Sequence, residues 1–213
     1  EITSKGNTYI YGLLVSGKDF RITKNVINTT GNYYANGIDV EGPASGQIYN
    51  NTIVAVANTS VYPIYGAMSN GNVSVDIVDN ELNGTGFLVY GIQLGGDKVN
   101  IAGNKINANG NYTVGIGVHV NQVTIDGNDI VSNASNVGNT SDVWDDMGKT
   151  SQGIFITSGD AVIQNNNVTT TANNTINTGD NVAVIKNNNL TSNNGTGNST
   201  IKGNNVIDAP LNT

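Results

Sequence analysis

Asp39 and Glu41 stand two residues apart in "GIDVEG" at 37–42. If that stretch is a strand, both carboxyls project from one face. Acid–base cleavage of a glycosidic bond needs two carboxyls held about 5–9 Å apart. The alternative is a solvated strand face. His119 and Arg21, the only histidine and the only arginine, lie in other parts of the chain. A second group surrounds the only tryptophan: Asp142, Asp145 and Asp146 flank Trp144 in "SDVWDDMGK". Such a ring could stack on a sugar, and the acids could hold Ca²⁺ through oxygen ligands. Neither a glycine–aspartate nonapeptide nor an EF-hand loop accompanies them, and a ring packed on the protein with its acids in water is the other reading. Tyr62 and Tyr65 add two rings in "ANTSVYPIY" at 57–65. Met68, Met147 and His119 are too scattered to spell a soft-metal site. Apart from the Ca²⁺ option, no cofactor is expected.

These groups must be carried by a repeat. "ITKNVI" at 22–27 recurs as "IYNNTI", "IVDNEL", "IAGNKI", "IDGNDI", "IQNNNV", "IKNNNL" and "IKGNNV". The shared asparagines are Asn25, Asn51, Asn80, Asn104, Asn128, Asn166, Asn188 and Asn204. A second motif, glycine before an apolar residue, alternates with the first at Gly12, Gly37, Gly66, Gly91, Gly115 and Gly153. From glycine to asparagine the distance is 13 or 14 residues, and from asparagine to glycine it is 12, 15, 11, 11 and 25. One half of the unit is therefore fixed and the other absorbs insertions. A recurring period of 24 residues means stacked repeats. Around each Asn, apolar residues at five and three before and two after follow strand alternation broken at a bend. Strands this short gain stability only by stacking, each on its copy one period away, about 4.8 Å along an axis. The expected fold is all-β: a right-handed, single-stranded parallel β-helix, or solenoid, of about seven to eight coils. The repeated Asn turns a corner in the left-handed backbone region, and its amide bonds to the amides above and below in a ladder.

The Ile-x-x-Asn-x-Ile coils with Gly-Ile strands resemble the right-handed parallel β-helix repeats of pectinases, copper-accessory periplasmic proteins and surface proteins, over about residues 9–207. The pectinase-type members imply a polysaccharide lyase or glycoside hydrolase, but the hydrolase motifs of that kind ("NTD", "HG" with "RIK") are absent. The Asn- and Thr-rich, cysteine-free, weakly charged composition resembles the adhesin-like surface proteins of methanogenic archaea. That resemblance implies a secreted or cell-surface binding module, part of a larger modular protein, contacting carbohydrate or another surface protein.

The net charge of −7 and the lack of a basic patch argue against nucleic acid. No apolar run approaches the ~18–20 residues of a membrane span, so this segment is not expected to insert. Thirteen Asn-x-Ser/Thr sequons, Asn28 and Asn83 among them at expected outward turns, suit a secreted surface protein. One domain is expected over 1–213, with an inserted loop near 132–151 and a degenerate last coil near 191–213. A shorter insertion at 57–65 is expected to emerge on the same side as the long one. Binding is expected at Trp144, Asp142, Asp145, Asp146, Tyr62 and Tyr65, and no catalytic residue is expected.

Overall fold

The computed structural model describes residues 1–67, 72–135, 152–171, 174–178, 183–192 and 205–208. Strands in these segments join in one 16-stranded sheet whose pairings are all parallel. Partners come from successive repeats, and the chain winds as a parallel β-solenoid of about six turns. That is fewer than the seven to eight expected from motif copies. Seven asparagine rungs, Asn25 to Asn188, bound only six full turns, and the eighth copy falls out of register. Ile207 stacks on Ile185, three residues before Asn188. Asn204, expected as the eighth rung, lies outside the described residues.

Each turn has three faces. The first begins after the ladder Asn, as in Val26–Thr30, Thr52–Val56 and Asp129–Ala134. The second carries the glycine motif, and the third ends at the next ladder Asn. In the most regular turns the strand runs around all three faces, as in Glu81–Ala102 and Lys105–Asp126. Three columns of aliphatic residues fill the interior. Ile48, Ile77, Ile101 and Ile125 stack on the third face, Ile53, Leu82, Ile106 and Ile130 on the first, and Ile38, Ile64, Ile92 and Ile116 on the second. All are buried. Each contributes roughly 1.5–3 kcal/mol of hydrophobic stabilisation, which is how short strands with little local preference become a stable stack.

The ladder runs unbroken from Asn25 to Asn188. The Asn51 Nδ2 donates to Asn80 Oδ1 at 3.0 Å, and the Asn80 Nδ2 donates to Asn104 Oδ1 at 3.0 Å. Asn104, Asn128 and Asn166 repeat the pattern at 2.9–3.0 Å. The same Oδ1 accepts the backbone N–H of the preceding rung, as Asn104 Oδ1 does from Asn80 at 2.9 Å. The left-handed corner falls one residue earlier than expected. Lys24, Asn50, Asp79, Gly103, Gly127, Asn165 and Asn187 take positive φ, each directly before a rung. The residue before the rung makes the bend, which frees the rung itself to aim its amide inward.

The glycine column has a packing reason. A Cβ on Gly37, Gly91, Gly115 or Gly153 would collide with a methyl group of Ile53, Ile106, Ile130 or Val168 on the first face. In the third turn this position belongs to Pro63, not Gly66: Ile64 pairs with both Ile38 and Ile92. The residues at 57–65 are thus not a loop. Tyr62 and Tyr65 lie in the strand Ser60–Tyr65. The chain between Tyr65 and Val73 joins the second face to the third, whereas that between Ala134 and Gln152 joins the first to the second. The two insertions therefore leave at different corners. Asn28 and Asn83 lie mid-strand on the first face, half-buried, rather than at turns.

Candidate functional site

The corrected register brings together residues that lie 25 to 28 apart in the chain from one turn to the next. On the outer side of the second face, Tyr9 stacks over Tyr34, with centroids 4.7 Å apart and planes 11° from parallel. The next column runs Tyr11, Asn36, Tyr62. Beyond it runs Leu14, Asp39, Tyr65, Gln93. Tyr62 also lies 4.9 Å from Tyr65 and 5.8 Å from Tyr90, stacked on the latter. The result is a stripe of tyrosines along the rod with an acid set into it.

Asp39 projects outward, yet its neighbours leave it only 6% exposed. The Asn36 Nδ2 donates to Asp39 Oδ2 at 3.1 Å. Burial raises the Asp39 pKa to about 6; the Asn36 hydrogen bond opposes the shift and the Glu41 charge adds to it. Asp39 therefore titrates near neutrality while Glu41 beside it is exposed. Asn36 Oδ1 is buried without a hydrogen-bond partner. The phenols of Tyr11 and Tyr65 are pushed up by burial first and the Asp39 charge second. Burial pushes Tyr62 up to about 12. At neutral pH these hydroxyls keep their protons and can donate or accept.

Asp39 and Glu41 share the outer side of one strand. No third acid joins Asp39 in its column, whose described residues are Leu14, Tyr65 and Gln93, with Gly117 and Phe155 further on. Tyr65 stands next to Asp39 in that column; counting from Gly66 as the glycine of that turn puts Met68 there instead. His119 bonds Thr157 through Nδ1 at 2.8 Å and pairs with Gly95, which places it three turns along the rod from the acids. Trp144, Asp142, Asp145, Asp146 and Met147 lie outside the described residues. Among the described residues no cluster of three or more His, Asp or Glu side chains is placed to hold a metal ion.

The sequence reading missed a second surface feature. An open groove of about 620 Å³ on the third face is lined by Asp19, Arg21, Gln47, Asp76, Lys98 and Asn100, among others. Arg21 donates to Gln47 Oε1 at 3.1 Å, and Gln47 Nε2 donates to Asp76 Oδ2 at 3.5 Å. Arg21, Gln47, Asp76 and Asn100 each precede the first Ile of the asparagine motif, so the repeat itself carried the signal for this polar column.

Fold and site together define a parallel β-solenoid that presents a tyrosine-rich sheet surface with a recessed acid. Compared with protein-family models, curated proteins and solved structures, the chain matches none.

Proposed function

We propose that this chain is a non-catalytic binding module of a secreted or cell-surface protein and that it holds carbohydrate on its second face. The observation that carries the reading is the tyrosine stripe Tyr9, Tyr34, Tyr11, Tyr62 and Tyr65 on a rigid sheet. Phenol rings offer broad apolar faces with a polar tip, and a sheet holds them at low entropic cost. Tyr9 and Tyr11 are exposed, so the rings are available to a partner. The asparagine-rich, cysteine-free composition and the sequons support a surface location, in line with the resemblance to adhesin-like proteins. A protein partner on the same stripe is the variant of this reading.

Pull-down on insoluble polysaccharides tests it. Tyr65→Ala and Tyr9→Ala should each weaken binding by roughly 1–3 kcal/mol with the solenoid intact by circular dichroism. Trp144→Ala in the same assay reports whether the inserted loop takes part.

One observation favours a second reading, hydrolysis or elimination on a polysaccharide. Asp39 titrates near 6 beside Glu41, as a general acid next to a carboxylate would. Assays for reducing ends and unsaturated products separate the two. Turnover that disappears in the Asp39→Asn, Glu41→Gln double variant would sink the binding-module reading.

A further inference from the structure

The polar groups of the second face are mismatched in kind. Asn36 Oδ1 is a buried acceptor with no partner, and Asn36 as a whole is only 7% exposed. Asp39 is an acceptor whose side chain takes a hydrogen bond from Asn36 Nδ2. Glu41 is a further acceptor, open to solvent. No Lys or Arg stands among the described residues of the second-face strands Tyr34–Val40, Ser60–Tyr65, Leu88–Leu94, Tyr112–Val118 and Gln152–Ile156. The donors among them are uncharged: tyrosine and other hydroxyls, and amides such as that of Gln93. A ligand lying on the rings therefore meets two carboxylates and no fixed cation among these residues, which favours hydroxyl donors over anionic groups.

We propose that the Asp39 site takes an uncharged, hydroxyl-rich sugar and rejects anionic glycans. The inference rests on the carbohydrate reading above and narrows it to a ligand class. Sugar hydroxyls donate hydrogen bonds, and a ring C–H face stacks on tyrosine. A uronate carboxylate or a sulfate replaces a donor hydroxyl with a group that only accepts, and brings like charge against Asp39 and Glu41. At neutral pH Asp39 is mostly ionised, since its pKa stands at about 6. Discrimination of about tenfold or more is expected from the like charges alone. This separates the site from any surface built to hold pectate or another polyuronate, which needs cations where the described residues of this face supply none.

Affinity gel electrophoresis with soluble polysaccharides tests the inference. The panel pairs neutral polymers (mixed-linkage glucan, galactomannan, arabinoxylan) with anionic ones (polygalacturonate, alginate, a sulfated galactan). At least one neutral polymer should retard the protein and no anionic polymer should do so. Asp39→Asn should weaken the neutral interaction about fivefold to tenfold, because a charged acceptor becomes a neutral one. Lys105→Gln, on the first face, should leave it unchanged. If Asp39→Asn fails to fold by circular dichroism, Glu41→Gln at its exposed position takes its place, with a smaller loss expected. Retardation by an anionic polymer that disappears in Tyr65→Ala would overturn the charge inference and leave the carbohydrate reading standing. Retardation by no polymer of either kind would overturn both. Neutral binding lost in Tyr65→Ala but untouched by both acid substitutions would also overturn the inference.

Discussion

Asn104 has a side-chain nitrogen that reaches three acceptors: Asn128 Oδ1, Ile77 C=O and Ala102 C=O at 2.8–3.1 Å. Its Oδ1 meanwhile accepts the backbone and side-chain N–H groups of Asn80. Asn104→Ala strands all of these inside the rod. A loss of roughly 2–4 kcal/mol is expected in urea denaturation, since each buried orphan costs on the order of 1–3 kcal/mol. Asn25, the half-buried first rung, should cost about 1 kcal/mol or less when changed to Ala, because water reaches the groups it leaves. Equal losses at the two sites would contradict an amide column whose value comes from burial. Asp39 makes a prediction of opposite sign. Its native pKa of about 6 lies above the ordinary carboxylate value, so the native state holds the proton more tightly than the unfolded chain. Stability therefore falls as pH rises from about 4 to about 6 and stays lowered above that window. Asp39→Asn keeps the shape and removes the charge. Thermal melts should show the variant more stable by on the order of 1 kcal/mol at about pH 7.5 and equal to the parent near pH 4. A variant less stable at the higher pH would show that the carboxylate is compensated by groups other than Asn36.

At the scale of the strand and its corner, two kinds of glycine answer to different physics. Gly115 has no room for a side chain, because a Cβ would meet Ile130 and the Gly153 carbonyl. Gly127 has open space but a φ of +65°, and Asn165 and Asn187 fill the equivalent corner two and three rungs away from Asn104. Gly115→Ala should cost roughly 1–3 kcal/mol by overpacking, while Gly127→Asn should stay within about 0.5 kcal/mol of the parent. Chemical denaturation of the two variants side by side checks this, and a reversed order would place the constraint in the backbone. The contrast also explains what was legible beforehand. The three faces and the ladder could be read because residue type recurs wherever burial recurs: Ile, Asn and Gly are dictated turn after turn. The third turn could not, since Pro63 fills the glycine position and Gly66 imitates it three residues later. That slip moved Met68 into the column of Asp39 and made Tyr62 and Tyr65 look like a loop. The tyrosine stripe went unread for the same reason: it forms across turns, from residues that vary freely on the outer side, where no packing rule repeats them. The last motif copy was legible as letters but not as register, because the 22-residue turn before it brings Ile207, not Ile201, onto Ile185.

For the whole molecule, each turn contacts mainly the turns before and after it, so stability is close to a sum over interfaces. Residues 81–104 make one full period, and Glu81 pairs with Lys105 in the next. Excising 81–104 joins Asn80 to Lys105 and reconnects every column. The shortened chain should fold with the same circular dichroism per residue and a lower melting temperature. Excising 81–92 alone would set second-face residues into first-face positions, and that chain should not fold. A half-turn deletion that melts as sharply as the full-turn one would refute the stacked architecture. The ladder adds a property that no single interface has. Backbone hydrogen bonds between turns run both ways along the axis: Lys105 donates back to Asn80, and Gly103 donates forward to Asp126. Between rungs the side-chain amides donate one way only, from Asn25 through Asn166, each to the rung that follows, while a second bond returns to an Ile carbonyl of the turn before. The seven amides, joined by six such bonds, share one sense along the axis, whereas backbone dipoles across a sheet largely cancel. The ladder thus has a direction that the sheet lacks, its Oδ1 acceptors turned towards Asn25 and its rung-to-rung donors towards Asn188.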